Sequence, residues 1–371
     1  MNQLKDLVLS PLLTGPLLLA ITFAPDTVRD GVRAVTAGAA GKGQKESFDQ
    51  ASSSIDFTTI TFILQILLAL GIIRQLNETL SIMARNSWRL QPAKGWEWSK
   101  EIAIVTGGSS GIGKDITLKF AALGIRTAVL DIQELHDDMK NNDLIAFFHC
   151  DVTSTESIAA AANAVRAKFG HPSILINNAA VSQPVPIMKT TESFLRKIMG
   201  VNLMSHWFTV QEFVPHMIEQ NKGHIVSLAS VASFVALSPG GDYSVTKAGA
   251  LCFHENLSCE LKHFHKADNI LTTIVHPMFV RTPLIQEIAD GLEQAGQKLL
   301  TPDDVAEKVV SQIKSKRGGQ LIVGAPSFVS CIRAMPAYLQ EFIRGKIGKR
   351  AAPRWEGQLV VPLNENNSAT K

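Results

Sequence analysis

From residue 101 onward, short apolar runs rich in β-branched residues alternate with longer stretches whose apolar positions recur at helical spacing. Residues 102–105, 127–130, 145–149, 174–176, 224–228, 270–275 and 321–323 are almost continuously apolar, as strands buried on both faces must be. Helical patterns separate them over 112–123, 154–169, 191–219 with a break, 243–263 and 302–313. Such alternation predicts a doubly wound parallel α/β sheet of about seven strands. The last of these helices has a well-marked start. Thr301 is placed to cap it, Pro302 suits the first position, and Asp303 and Asp304 lie near the positive end of the dipole.

The first part of the chain is patterned differently. Residues 7–25 carry no charge but are interrupted by Pro11, Gly15 and Pro16, and residues 57–73 form a second uncharged run closed by Arg74. At 1.5 Å per residue the second run reaches roughly 25 Å, close to the ~30 Å of a hydrocarbon core, and is expected to be a membrane segment. A secretory signal at the first run would have a small-x-small site directly after it. None follows, and Ala37-Gly38-Ala39 is too far downstream, which favours a kinked anchor or hairpin. Basic residues on the two sides balance, so charge leaves orientation open. The expected organisation is an N-terminal extension over 1–95, the sheet domain over 96–325, and a C-terminal segment over 326–371. In that last segment, apolar positions at helical spacing around Pro336 suit a membrane-surface helix, a cover over a pocket or a plain core helix. A polar tail closes the chain.

Composition narrows the partners. In 371 residues with 19% charged positions and a formal net charge of +3, no basic stripe points to nucleic acid. The 4 cysteines form no Cys-x-x-Cys pair and are expected to be reduced core thiols. His254, His263 and His265 lack metal-ligand spacing, so no metal site is expected and a solvated face is.

Candidate chemistry starts at TGGSSGIG, residues 106–113, where the first strand enters a helix. Gly107, Gly111 and Gly113 leave room for a tight turn. Backbone N–H groups around Ser109, Ser110 and Ile112 are then free to meet a pyrophosphate at the helix N-terminus. The same residues also fit the Gly-x-Ser-x-Gly elbow of a hydrolase, but that needs an acid and then a histidine in later chain order. His276 is the last histidine and Asp303 and Asp304 follow it, which disfavours the elbow. Asp131, at the end of the second strand, is placed to accept both ribose hydroxyls of a dinucleotide and to repel a 2′-phosphate.

In DYSVTK, residues 242–247, Tyr243 and Lys247 stand at i and i+4 and so share a helix face. TGxxxGIG, Asn177-Asn178-Ala179-Ala180 and Tyr-x-x-x-Lys together resemble the short-chain dehydrogenase/reductase family, a Rossmann-type fold, over roughly residues 101–323. The resemblance implies that Asp151 and Val152 contact adenine and that Asn178 and Ala179 line the nucleotide. It makes Asn202 the helix asparagine that positions a water beside Lys247, and Ser230 the serine preceding Tyr243. His276 to Thr282, HPMFVRT, is similar to the family's PGFVRT stretch, which puts Val280 and Thr282 near the nicotinamide. Ala180 and Met278 stand where the family usually has glycine.

The residue types also suit the chemistry. Moving a hydride between a carbinol carbon and nicotinamide requires a proton to move at the substrate oxygen. Tyr243 is the expected acid/base, with Lys247 lowering its pKa and bonding the nicotinamide ribose, while Ser230 holds the substrate oxygen. Asp131 favours NAD(H), with NADP(H) as the alternative. The apolar N-terminus favours a lipophilic hydroxyl or carbonyl substrate between walls at 183–189 and 285–300. Within the family, the likeness is to membrane-associated retinol, hydroxysteroid and long-chain alcohol dehydrogenases. This implies endoplasmic reticulum or lipid droplet placement with the catalytic domain facing the cytosol, and homo-oligomers. The rival readings are an NADP(H)-linked carbonyl reductase of lipid or secondary-metabolite synthesis and a non-catalytic membrane scaffold.

Overall fold

The computed structural model describes residues 9–23, 26–28, 30 and 57–351. Most of the linker between the two apolar runs, including Ala37-Gly38-Ala39, and the polar tail lie outside the described residues. The chain divides into two compact units, residues 1–84 and 85–371.

In the first unit, helix α1 (Pro11–Phe23) carries Pro16 inside it without ending there. Helix α2 (Phe57–Arg85) is longer than the expected apolar run. It continues past Arg74, whose Nε donates to Glu78 Oε1 one turn on at 3.1 Å, so a charge that closes an apolar stretch does not close the helix. The two helices meet where side chains are smallest. A Cβ on Gly71 would stand 2.4 Å from Leu9 O, and one on Gly15 would touch Leu68. Residues 58–85 are long and apolar enough to cross a bilayer.

The second unit contains a fully parallel sheet in the order β3-β2-β1-β4-β5-β6-β7. Its strands are β1 (Ile102–Thr106), β2 (Arg126–Asp131), β3 (Ile145–His149), β4 (Ile174–Asn177), β5 (Gly223–Leu228), β6 (Ile270–Pro277) and β7 (Gly319–Val323). The expected burial on both faces holds for β1, β4, β5 and β6, whereas the edge strands β3 and β7 are partly open because a neighbour is missing on one side. The intervening helices are α3 (Gly111–Ala122), α4 (Thr155–Phe169), α5 (Glu192–Met199), α6 (Ser205–Glu219), α7 (Gly241–His263), α8 (Gln286–Gln294) and α9 (Pro302–Lys314). Apolar clusters lie on both faces of the sheet. One joins α3 and α9 to β1, β4 and β6, and the other joins α4, α6 and α7 to β4 and β5.

The expected break in 191–219 is a π-turn over Gly200–Met204, between α5 and α6, and Asn202 sits in it fully buried. A π-turn keeps the helix running while re-aiming one side chain, a common device at functional sites. The Thr301 cap is a full capping box with Asp304.

The C-terminal segment splits at Pro336 into a 3-10 stretch, Ser327–Ala334, and helix α10 (Ala337–Ala351). Val329 and Ile332 bury against Val231, Phe234 and Val235, while Phe328, Tyr338 and Phe342 stay exposed, so the segment is core on one side and open on the other. Two sequence expectations need correction. Among the cysteines only Cys150 is buried, its thiol pushed up to about 11 by burial, and Cys252, Cys259 and Cys331 are exposed and free. His254 is buried on the inner face of α7, with Nδ1 3.0 Å from Ser227 Oγ, because that face packs on β5.

Candidate active site

Every sequence-predicted site residue in the second unit lies at or beyond the carboxyl end of a parallel strand, or on a helix packed there. The order reverses between β1 and β4, which opens the crevice where doubly wound sheets bind ligands.

The glycine turn follows β1. Gly107 and Gly111 have φ of +63° and +53°, a region that glycine enters without strain. Gly113 is required by contact: a Cβ there would stand 2.2 Å from Gly107 O and 2.6 Å from Asn178 Nδ2. Asn178 stitches this turn to the one after β4, its Nδ2 donating to Thr106 O at 3.0 Å and Gly107 O at 2.9 Å. The N–H groups of Asn178 and Ala179 both donate to Thr106 Oγ1. Ser110 starts α3 with no side-chain cap, which leaves the first-turn N–H groups and the positive end of the dipole toward the crevice.

Asp131 closes the neighbouring side. Its carboxylate accepts from Ser109 N–H and Gln133 N–H, each at 3.0 Å, so it is held at the end of β2 rather than left to wave in solvent. Asp151 and Val152 follow β3. Asp151 Oδ1 accepts from the N–H and hydroxyl of Thr153, and Val152 is buried. Across the turn, Thr282 lies against Gly111, its Cγ2 3.2 Å from where a Cβ would be, and Val280 is buried and bridged to Leu300. A glycine cradle, an uncapped helix start and a fixed carboxylate fit an adenine dinucleotide.

The catalytic candidates meet next to this cradle. Ser230 ends the extension of β5, and Tyr243 and Lys247 lie on α7 with Lys247 Nζ 5.6 Å from the Tyr243 ring centre. Lys247 is 2% exposed, and its ammonium donates to Leu228 O at 2.8 Å. Burial brings it down to about 8. Burial raises the Tyr243 hydroxyl to about 12, opposed by a hydrogen bond with Ser230. The tyrosine side chain keeps some solvent access, which moderates that rise. The expected lowering of Tyr243 by Lys247 is therefore not present in the protein alone, where desolvation dominates.

Asn202 is engaged with protein on both its polar atoms. Its Oδ1 accepts from Val181 N–H at 2.8 Å, and its Nδ2 donates to Val181 O at 2.9 Å and to Thr246 Oγ1 at 3.4 Å. It ties the segment after the Asn-Asn-Ala-Ala turn to α7. The 3-10 turn Ile187–Lys189 exposes Ile187 and Met188, and Ile187 lies against Gly241 two residues before Tyr243. The second expected wall, 285–300, contains α8. Sequence reasoning missed Thr106, Val181 and Leu228, which act through backbone atoms or a buried hydroxyl that no motif marks. It also gave His276 no role beyond the disfavoured elbow and its place in HPMFVRT.

The comparisons agree with this fold. The short chain dehydrogenase family profile matches residues 101–293. The chain is 41% identical over 180 residues to dehydrogenase RED2 of Cochliobolus heterostrophus, covering 48% of this chain and 68% of that one. It is 29% identical over 236 residues to retinol dehydrogenase 10-A of Xenopus laevis, covering 55% of this chain and 69% of that one. A 3-ketoacyl-(acyl-carrier-protein) reductase from Brucella melitensis, solved with NADH, superposes with a TM-score of 0.55 at 23% identity, over 61% of this chain and 98% of that one, and shows the shared fold. The chain belongs to the short chain dehydrogenase family, oxidoreductases that bind a nicotinamide dinucleotide and act on CH–OH groups.

Proposed function

We propose that this protein is a membrane-anchored, NAD(H)-dependent dehydrogenase that interconverts a hydroxyl and a carbonyl on a lipophilic substrate. The observation that carries the reading is the convergence of Ser230, Tyr243 and Lys247, with the exposed apolar Ile187 lying against Gly241 two residues before the tyrosine. Retinol dehydrogenase 10-A of Xenopus laevis, by its name, acts on an apolar alcohol, which supports the same substrate class here.

When bound, the nicotinamide dinucleotide supplies the hydride acceptor or donor. Gly107, Ser109, Ser110, Gly111, Ile112 and Gly113 hold its phosphates, and Asp131 holds the adenosine ribose. Asp151, Val152, Asn178, Ala179, Val280 and Thr282 line the rest. Tyr243 gives or takes the proton at the substrate oxygen, and Ser230 holds that oxygen with its hydroxyl. Lys247 is cationic near neutrality and stabilises negative charge as it develops on the Tyr243 oxygen. Asn202 keeps the 178–181 turn in place against α7 and, in the same reading, positions a water beside Lys247.

Helix α2, long and apolar enough to span, supports membrane anchoring, and placement at the endoplasmic reticulum or lipid droplets with the catalytic unit toward the cytosol is what the resemblance to membrane-associated dehydrogenases implies. Exposed Met204, Trp207 and Val245 on α6, α7 and the π-turn support a homo-oligomer. The test follows reduced-nicotinamide fluorescence of the detergent-solubilised full chain with NAD(H) and NADP(H) against retinoid, steroid and long-chain alcohols and carbonyls. The expected result is turnover of an apolar alcohol with NAD(H), lowered ~100-fold or more in Tyr243→Phe, with nucleotide binding retained. Turnover that survives Tyr243→Phe at the wild-type rate removes the acid/base role, and turnover with NADP(H) alone moves the protein to the carbonyl-reductase reading.

A further inference from the structure

The turn that carries Ser230 is held by a residue outside the quartet described above. Strands β5 and β6 pair up to Leu228 opposite Val275, and Ala229 N–H donates to Val275 O at 2.8 Å. The next donor of a parallel ladder would be the N–H of residue 277, which is proline and has none. From that point the side chain of His276 takes over. Its Nδ1 lies 3.0 Å from Ser230 O, and its Nε2 lies 3.2 Å from the side-chain nitrogen of Gln320 on β7.

A carbonyl only accepts, so Nδ1 carries the proton and Nε2 accepts from the Gln320 amide; one neutral tautomer, assigned from its partners, satisfies both contacts. The ring is fully buried and stands 4.5 Å from the Phe234 ring, just past the 3-10 turn Val231–Ser233 that Ser230 starts. Burial holds it down to about 4, against the opposite pull of the Ser230 carbonyl, and the charges of Lys247 and Arg85 also oppose its protonation. Besides His276, the Ser230 carbonyl accepts from Ser233 N–H at 2.9 Å, its Oγ accepts from Ala232 N–H at 3.1 Å, and its hydroxyl shares a hydrogen bond with Tyr243 and reaches Pro277 O only at 3.4 Å.

We infer that His276 is the positioning residue for Ser230: its Nδ1–H on the Ser230 carbonyl and its ring on Phe234 fix the turn so that the Ser230 hydroxyl is presented beside Tyr243. The inference rests on the role given to Ser230 above. His276 touches neither substrate nor cofactor in this arrangement; it acts through the serine.

The test is a double-mutant cycle in the detergent-solubilised full chain, with all-trans-retinol and hexadecan-1-ol as probes, measuring kcat, KM and nucleotide affinity. His276→Ala should lower kcat ~10- to 100-fold while KM and nucleotide affinity stay within ~3-fold. His276→Asn, whose side-chain N–H replaces Nδ1–H, should recover most of that loss. In a Ser230→Ala background, His276→Ala should cost less than ~2-fold more. An equal loss in both backgrounds, no gain from asparagine, or an unchanged kcat in His276→Ala overturns the inference. Ser230→Ala with wild-type kcat overturns instead the role of the serine. Long-range ¹⁵N–¹H spectra of the histidine rings need no turnover. They should show His276 with its proton on Nδ1 at pH 7, and a proton on Nε2 alone overturns the inference by itself.

Discussion

The Nζ of Lys247 stands 5.6 Å from the centre of the Tyr243 ring and donates to Leu228 O at 2.8 Å, so the cation of the site is tied to the end of β5 and, among the described residues, to no carboxylate. A buried ammonium without a carboxylate partner costs stability, and its pKa moves to reduce that cost.

Stability should therefore depend on pH through Lys247. Its pKa is about 8 in the folded protein against 10.5 ordinarily, so between those values the unfolded chain binds more protons and stability rises with pH. The wild type minus Lys247→Met difference in unfolding free energy should rise from pH 7.5 to 10, by at most about 3 kcal/mol at about 1.4 kcal/mol per unit. Above pH 10 the raised Tyr243 reverses the direction for the wild type, since the folded state then holds the extra proton. Urea titrations across this range check it, and a flat difference from pH 7.5 to 10 contradicts it.

Acid should act through a separate set of groups. His206, His224 and His254 are buried and held down to about 3, and His276 to about 4. Below 6.5 the unfolded chain takes up protons that the folded one does not, so stability should fall as pH drops from 6.5 toward 4. Melting temperatures should decline through that window, and His254→Asn, which can keep a bond to Ser227, should flatten the slope by up to one proton. A slope unchanged in that variant places the acid sensitivity elsewhere.

Asp131 should decide between the two cofactors. Its carboxylate is fixed by the N–H groups of Ser109 and Gln133 where it meets the adenosine ribose of the proposed complex. Asp131→Ala should raise KM for NAD(H) ~10-fold or more and lower it for NADP(H), because the hydroxyl acceptor and the repulsion of a 2′-phosphate leave together. Initial rates with each cofactor measure this, and an unaltered preference removes Asp131 from cofactor choice.

Gly113→Ala sets two effects against each other. Alanine is favoured in a helix by about 1 kcal/mol. The new Cβ, however, would stand 2.2 Å from Gly107 O and 2.6 Å from Asn178 Nδ2, in a turn pinned by those bonds. The clash should win, costing about 3 kcal/mol or more and abolishing nucleotide binding. Denaturant unfolding and nucleotide fluorescence give both numbers.

Sequence periodicity alone determined the parallel sheet, since strands covered by helices on both faces must read as unbroken apolar runs while the helices between them keep polar positions outward. Strand ends then marked Gly107 and Asp131, because a short turn after a strand leaves few places for a side chain to go, helical spacing paired Tyr243 with Lys247, and Asn178 and Ser230 were legible only through the family resemblance. Charge marked the end of the apolar run and not of the helix: α2 passes Arg74 because an exposed charged side chain, paired with Glu78 one turn on, leaves the backbone ladder intact. Only the tertiary structure decided that His254 faces inward, that Asn202 spends its amide on Val181 and Thr246, and that His276 holds the Ser230 turn. Those facts depend on which face of α7 meets β5, on a π-turn that re-aims one residue, and on a proline that ends a ladder beside a neighbouring strand. Each is a relation between segments far apart in sequence, and burial and hydrogen-bond partners exist only once those segments are packed together.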